Sequence, residues 1–263
     1  SINTYLLCPR KYYYRYIKRL IPPEDIALIR GRILHKVVEN IFNIKELSEN
    51  YEFELKIVSL DLLNKVWNEN LPTIKSLNLN QNVINSYFEE SKEMALKFIN
   101  HITNKIKQSS LDVNTTFNNM KGIREITLES GQLGVKGIID VVNDDKIIDY
   151  KTSSRDDITE EYKTQLGIYS ILFNEKFKKP LSSASLFFFK FGEREVKITD
   201  SDIIEAKEKI NIVKSKTSSE NLIDYPQKIG RFCKWSTGKC PYFGLCFPKD
   251  NPNSKNNSKL YKY

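Results

Sequence analysis

Asp140 and the triplet Asp149-Tyr150-Lys151 are the residues of this chain best suited to chemistry. Each aspartate follows an apolar pair, in Gly137-Ile138-Ile139-Asp140 and in Ile147-Ile148-Asp149. An aspartate on a buried strand needs a hydrogen-bonding partner or a metal. If residues Asn143 to Lys146 form a hairpin loop, Val142 faces Ile147, Val141 faces Ile148 and Asp140 faces Asp149. Directly opposed Cβ atoms lie roughly 4.5–5.5 Å apart. Carboxylates that close repel unless a cation lies between them. Oxygen ligands of this kind suit Mg²⁺ or Mn²⁺. Lys151 lies two residues beyond Asp149 and so points to the same strand face. Its ammonium can hold a water or stabilise charge growing on a phosphate. The plain alternative is a surface hairpin whose charges are merely solvated, since Asp-x-Lys alone is common.

Strand patterns must carry this group. Residues 123–128 and 132–142 alternate as strands around the turn Glu129-Ser130-Gly131, and 146–151 reads as a third strand after a second turn. A helix is expected over 158–177, an apolar strand over 184–191, a returning strand near 195–198 and a helix over 200–214. Upstream the pattern is helical. Residues 2–20 read as one tyrosine-rich basic helix ended by Pro22-Pro23, and 31–42 as a helix with the stripe Ile33, Leu34, Val37, Val38, Ile41. Helices are expected over 53–70 and 82–107, separated by an Asn-rich stretch with Pro72. Three strands, a helix and another strand imply an α/β or α+β core.

Three further residues are candidate ligands. His35 sits off the centre of its helical stripe, with Gly31 one turn before it; it is either a structural histidine or a ligand. Glu125 lies in the first strand and either binds a metal through water or is solvated, and Glu39, one turn beyond His35, is a weaker candidate.

The four cysteines are Cys8 and, far downstream, Cys233-x6-Cys240-x5-Cys246. The spacing is wider than a C-x2-C zinc knuckle. Four thiols suit one iron–sulfur cluster or one zinc ion. No apolar run reaches the ~18 residues of a membrane span and no signal-peptide pattern is visible. An intracellular, cytoplasmic setting is therefore expected, which favours a metal site over disulfides. The net charge of +8 fits an anionic partner, or simply a lysine-rich composition. Arg10 and Lys11, interleaved with Tyr12, Tyr13, Tyr14 and Tyr16, offer phosphate contacts and stacking faces, or the tyrosines pack and the charges are solvated.

Taken in order, Cys8-Pro9-Arg10-Lys11-Tyr12-Tyr13-Tyr14, Gly31-x3-His35, Gly137-x2-Asp140, Asp149-Tyr150-Lys151, Gln165-x3-Tyr169 and the terminal cysteines resemble the PD-(D/E)XK nuclease superfamily. They resemble most its RecB-like branch, with AddB-type nuclease domains and CRISPR-associated adaptation nucleases. The resemblance implies a restriction-endonuclease-like α/β core, a mixed sheet flanked by helices, with a helical insertion and a C-terminal cysteine segment closing on the N-terminus. It implies one nuclease domain over 1–263: N-terminal helices to 45, an insertion over 46–115, the core over 116–215, a cluster-binding segment over 216–248 and a loose tail over 249–263. It makes Asp140 and Asp149 metal ligands, Lys151 catalytic, His35 and the Tyr150 carbonyl further ligands to Mg²⁺ or Mn²⁺, and Gln165 and Tyr169 neighbours of the DNA path. It favours a [4Fe–4S] cluster on Cys8, Cys233, Cys240 and Cys246, with a structural role.

The expected activity is metal-dependent hydrolysis of DNA phosphodiesters, acting as an exonuclease on single-stranded ends. The competing readings are the nuclease domain of a helicase–nuclease repair complex, and a non-catalytic DNA-binding scaffold. No Walker A motif occurs, so a motor would lie in a partner or elsewhere in a longer protein, an expectation that a start at Ser1 leaves open. A helicase or CRISPR-adaptation protein is the implied partner.

Overall fold

The computed structural model describes residues 1–235 and 238–248; the expected loose tail lies outside the described residues. Two compact units emerge. One comprises Ser1–Pro23, Gln132–Gly134 and the chain from Ile204 onward, and the other comprises Glu24–Gly131 and Val135–Ile203.

The larger unit is built on a five-stranded sheet in the order β1-β2-β3-β4-β5: Ile123–Ser130, Val135–Asn143, Lys146–Lys151, Ser183–Phe188 and Gly192–Val196. Only β3 and β4 run parallel, so the sheet is mixed. The β1–β2 hairpin is longer than its turn residues suggest. Ser130 still pairs with Val135, so the turn is Gly131–Gly134.

The smaller unit contains α1 (Ile2–Leu7), α2 (Pro9–Tyr12) and a π-helical turn over Tyr13–Ile17. The single helix expected over 2–20 is therefore broken. Cys8 is extended (φ −160°, ψ 110°) and Pro9, which has no N–H to lose, restarts the helix.

In the larger unit, α3 (Ile26–Ile41) starts earlier than its apolar stripe, because Asp25 caps it by accepting the Ala27 N–H at 2.7 Å. Helices α4 (Tyr51–Ser76), α5 (Gln81–Gln108) and α6 (Val113–Lys121) follow. Pro72 does not end α4. It removes the bond to the Asn68 carbonyl, but Asn68 is exposed and water can satisfy that group. The break falls at Asn78, which is left-handed (φ 51°). Helix α6 was not legible as a helix; Asp112 caps it through the Thr115 N–H.

Ile33, Leu34, Val37 and Ile41 of α3 share one core with Leu55 and Leu63 of α4, Phe98 and Ile99 of α5, and Val141, Tyr150 and Phe187 of the sheet. Each such aliphatic side chain contributes roughly 1.5–3 kcal/mol on burial. Helix α7 (Glu160–Phe177) packs on β1 and β2. Gly137 permits this approach, since a Cβ there would meet Tyr169 Cε1 at 2.9 Å. Helix α8 (Asp200–Lys216) follows the sheet. No helix among the described residues is long and apolar enough to cross a membrane.

Candidate active site

Asp140 lies on β2 between two other carboxylates. In β1, Arg124 pairs with Val141 and Ile126 with Ile139, so Glu125 stands across from Asp140 at a position where the ladder is interrupted. In β3, Ile147 pairs with Val142 and Ile148 with Val141, the expected register, and one step further Asp149 stands across from Asp140 where pairing stops. Glu125, Asp140 and Asp149 thus form a row across three strands. Glu125 is held at φ 50°. A non-glycine residue there costs on the order of 1–3 kcal/mol, and such strain gathers at functional sites.

The gap beside Asp149 is filled by a side chain. The Tyr150 N–H donates to Asp140 Oδ2 at 2.6 Å. The Phe189 N–H donates to the Lys151 carbonyl, which aims that carbonyl at β4. Successive strand carbonyls alternate, so the Tyr150 carbonyl faces the Asp140 side.

His35 on α3 completes the cluster. Its Nδ1 is 3.4 Å from Asp140 Oδ1 and 4.0 Å from Glu125 Oε1. His35, Glu125 and Asp140 each offer a ligand atom within 4.8 Å of the others. Burial alone would lower the His35 pKa; the hydrogen bond and charge of Asp140, then Asp149 and Glu125, raise it instead. Burial, and then Asp140, also raise Glu125. Gly31 brings α3 against the end of β3: a Cβ there would lie in contact with Thr152 Oγ1 at 3.4 Å.

Asp149 is the most buried member, with its side chain 4% exposed. The Lys151 ammonium forms an ion pair with its Oδ2, but that buried oxygen has no well-directed hydrogen bond. Burial pushes Asp149 up to about 6; the Lys151 charge opposes this and the Asp140 charge adds to it. The histidine nitrogen and the Glu125 and Asp140 carboxylates are a donor set that fits a divalent cation, and Asp149 stands outside that closest group, across β2–β3 from Asp140.

Lys151 is positioned by a relay. Its Nζ donates to Gln165 Oε1 at 2.8 Å, Gln165 Nε2 donates to the Tyr169 hydroxyl at 2.8 Å, and that hydroxyl donates to the Ile138 carbonyl at 2.6 Å. Gln165 and Tyr169 were expected beside the DNA path. Here Tyr169 is buried, and both residues spend these polar groups on each other, Lys151 and the sheet. The Tyr162 ring lies 4.8 Å from the Lys151 ammonium. Tyr162 was not singled out from sequence, although it precedes Gln165 by one helical turn and shares its face.

The cysteines belong to the smaller unit. Cys8, Cys233, Cys240 and Cys246 all line one cavity, and none is disulfide-bonded. Burial raises the Cys240 thiol and pushes Cys246 up to about 11, and the neighbouring thiols add to both shifts. Among the described residues, no three of the sulfurs come within 4.8 Å of one another. A single zinc ion, with Zn–S bonds of about 2.3 Å, would need them about 3.8 Å apart. Arg10 and Lys11 lie beside this segment. Arg10 Nε donates to the Tyr225 carbonyl at 2.8 Å, and Lys11 lines the cysteine cavity. The tyrosines pack: Tyr12 stacks on Tyr225 at 6.3 Å and Tyr14 meets Tyr242 at 5.5 Å.

The family model described as the PD-(D/E)XK nuclease superfamily matches residues 1–247. The crystal structure of a "putative exonuclease" from Eubacterium rectale is similar with a TM-score of 0.50 at 14% identity, over 89% of this chain and 85% of that one. At that identity the likeness concerns the fold. No curated protein matches the chain.

Proposed function

The chain belongs to the PD-(D/E)XK nuclease superfamily, and on that premise we propose that it is a metal-dependent deoxyribonuclease of the RecB-like branch acting on single-stranded DNA ends. The observation that carries this reading is the meeting of His35 Nδ1 and Asp140 Oδ1 at 3.4 Å in the row that also holds Asp149, with Lys151 two residues further along β3. His35, Asp140, Asp149 and the Tyr150 carbonyl would hold Mg²⁺ or Mn²⁺, with Glu125 reaching it through water. A bound divalent cation would supply Lewis-acid polarisation of the phosphodiester.

The chain's own groups do the rest. Lys151 keeps 16% of its side chain exposed, enough to reach a substrate from a fixed base. It orients the attacking water and stabilises the charge that builds on the phosphate oxygens. Attack by water forms a P–O bond and gives up a proton to solvent, the bond to the leaving oxygen breaks, and that oxygen takes a proton from solvent. Gln165 holds the ammonium in place throughout.

The reading extends to a structural [4Fe–4S] cluster on Cys8, Cys233, Cys240 and Cys246, which line one cavity. Each of the four thiolates would hold one iron of that cluster. Lys11 on the cavity wall suits an anionic group. The resemblance to the RecB-like branch extends the reading to a helicase or CRISPR-adaptation partner and to DNA repair. The test is cleavage of end-labelled linear single strands against circular single strands of the same length, with Mn²⁺. Release of short products from the linear strand alone supports an end-dependent enzyme. Equal cleavage of the circle removes the requirement for ends.

A further inference from the structure

We propose that the cleft flanking Lys151 is a subsite for the DNA phosphate next to the scissile one, with Lys190 as its contact. This rests on the nuclease reading above and names how the strand is held.

The cleft measures about 660 Å³ and is lined by Lys151, Arg30, Tyr87, Glu90, Tyr162 and Lys190, among others. Its charges do not balance. Among its described lining residues, Arg30 and Lys190 share one carboxylate, Glu90, while Lys151 is already paired with Asp149. A single oxygen, Glu90 Oε2, accepts from both Arg30 at 2.8 Å and Lys190 at 2.8 Å. The Lys190 and Arg30 contacts hold the Glu90 carboxyl below its ordinary range, against its partial burial.

The two cations differ in role. The Arg30 side chain is 9% exposed, its guanidinium lies 4.8 Å from the Tyr87 ring, and its Nε is buried without a hydrogen-bond partner. It is a fixed source of positive potential. Lys190 is 30% exposed on a flexible stem, so it can leave Glu90 for an incoming anion. A purely structural pair would match one cation with one carboxylate. Here the surplus charge opens onto a cleft that begins at the catalytic lysine. That is the chemistry of a phosphodiester backbone contact.

The test is the affinity of the whole protein for a fluorescein-labelled thymidine 20-mer, read by anisotropy across a salt series without divalent metal. Lys190→Gln should weaken binding about fivefold and reduce the salt slope by about 0.7, one phosphate contact on a single strand. Glu90→Gln releases both cations and should tighten binding, an outcome that loss of a structural ion pair would not give. Lys56→Gln removes the same charge from an exposed position on α4 and should match wild type. Equal effects of Lys190→Gln and Lys56→Gln, or weaker binding by Glu90→Gln, overturn the subsite. A wild type that binds and, with Mn²⁺, cuts DNA while Lys190→Gln is indistinguishable from it rejects the subsite and leaves the nuclease reading standing. A wild type that neither binds nor cuts DNA removes the nuclease reading and the subsite with it.

Discussion

Asp140 completes the backbone of its neighbour: its Oδ2 accepts the Tyr150 N–H at 2.6 Å where the β2–β3 ladder has stopped. The other oxygen, Oδ1, is turned to His35 at 3.4 Å. One side chain thus holds the Tyr150 peptide and leaves its second oxygen in the group that could take a metal ion.

These two duties separate by mutation. Asp140→Asn keeps an acceptor for the Tyr150 N–H but loses the charge. It should melt at or above wild type without metal, because carboxylate repulsion is relieved, and should bind Mn²⁺ at least 100-fold more weakly. Asp140→Ala also strands a buried N–H, which costs about 1–3 kcal/mol. Thermal melts and Mn²⁺ titrations of both variants check this; equal melting temperatures would remove the structural duty.

The Lys151–Gln165–Tyr169 relay predicts coupling rather than additive loss. Gln165→Ala should lower kcat about 10- to 100-fold with little change in KM, because Lys151 is still present but less fixed. In a Lys151→Ala background the same change should cost almost nothing. An additive double mutant would mean that Gln165 acts independently of Lys151.

Much of this site was legible because its signals are local. Val142 facing Ile147 and Val141 facing Ile148 followed from loop length alone, and the observed register is the same. The apolar stripe of α3 marked its buried face. What escaped were features set by tertiary context. The left-handed backbone of Glu125 has no sequence signature, since only the surrounding sheet holds it there. The continuation of α4 through Pro72 depends on the exposure of Asn68. The Arg30–Glu90–Lys190 cluster joins residues 60 and 100 positions apart, a distance that no local pattern spans.

The buried carboxylate makes stability depend on pH. Asp149 is pushed up to about 6 in the folded protein, above the ordinary carboxylate value of about 3.9. The folded state therefore keeps a proton that the unfolded chain releases, so this stabilisation is present at pH 4 and lost as pH rises through 6. His35, also raised, acts in the same direction: its contribution is present below about 6.5 and lost above its folded value. Metal-free protein should lose on the order of 2–3 kcal/mol through Asp149 between pH 4 and pH 7. Asp149→Asn should flatten that loss. Mn²⁺ should stabilise the wild type increasingly over the same window, because it replaces the protons. Melting curves at several pH values, with and without Mn²⁺, check the sign; a wild type that gains stability towards pH 7 without metal would contradict it.

The cysteine segment predicts colour and iron together. Anaerobically purified protein should be brown and hold about four irons per chain. Cys8→Ala should lose iron and melt lower, because a cluster joining Cys8 to Cys246 closes a very long loop. A colourless protein with one zinc would replace the cluster and leave the nuclease standing; full iron content in Cys8→Ala would break the link between Cys8 and the other cysteines.

The central claim is that the row containing Asp140 and Asp149, with Lys151, hydrolyses DNA. Its most direct measurement is the cleavage rate of end-labelled single-stranded DNA with Mn²⁺ for wild type, Asp149→Ala and Lys151→Ala, alongside their DNA affinities without metal. Wild type should cut, both variants should lose at least 1,000-fold in rate (~4 kcal/mol of transition-state stabilisation), and all three should bind DNA within about threefold of one another. Wild-type rates in both purified variants would contradict the account.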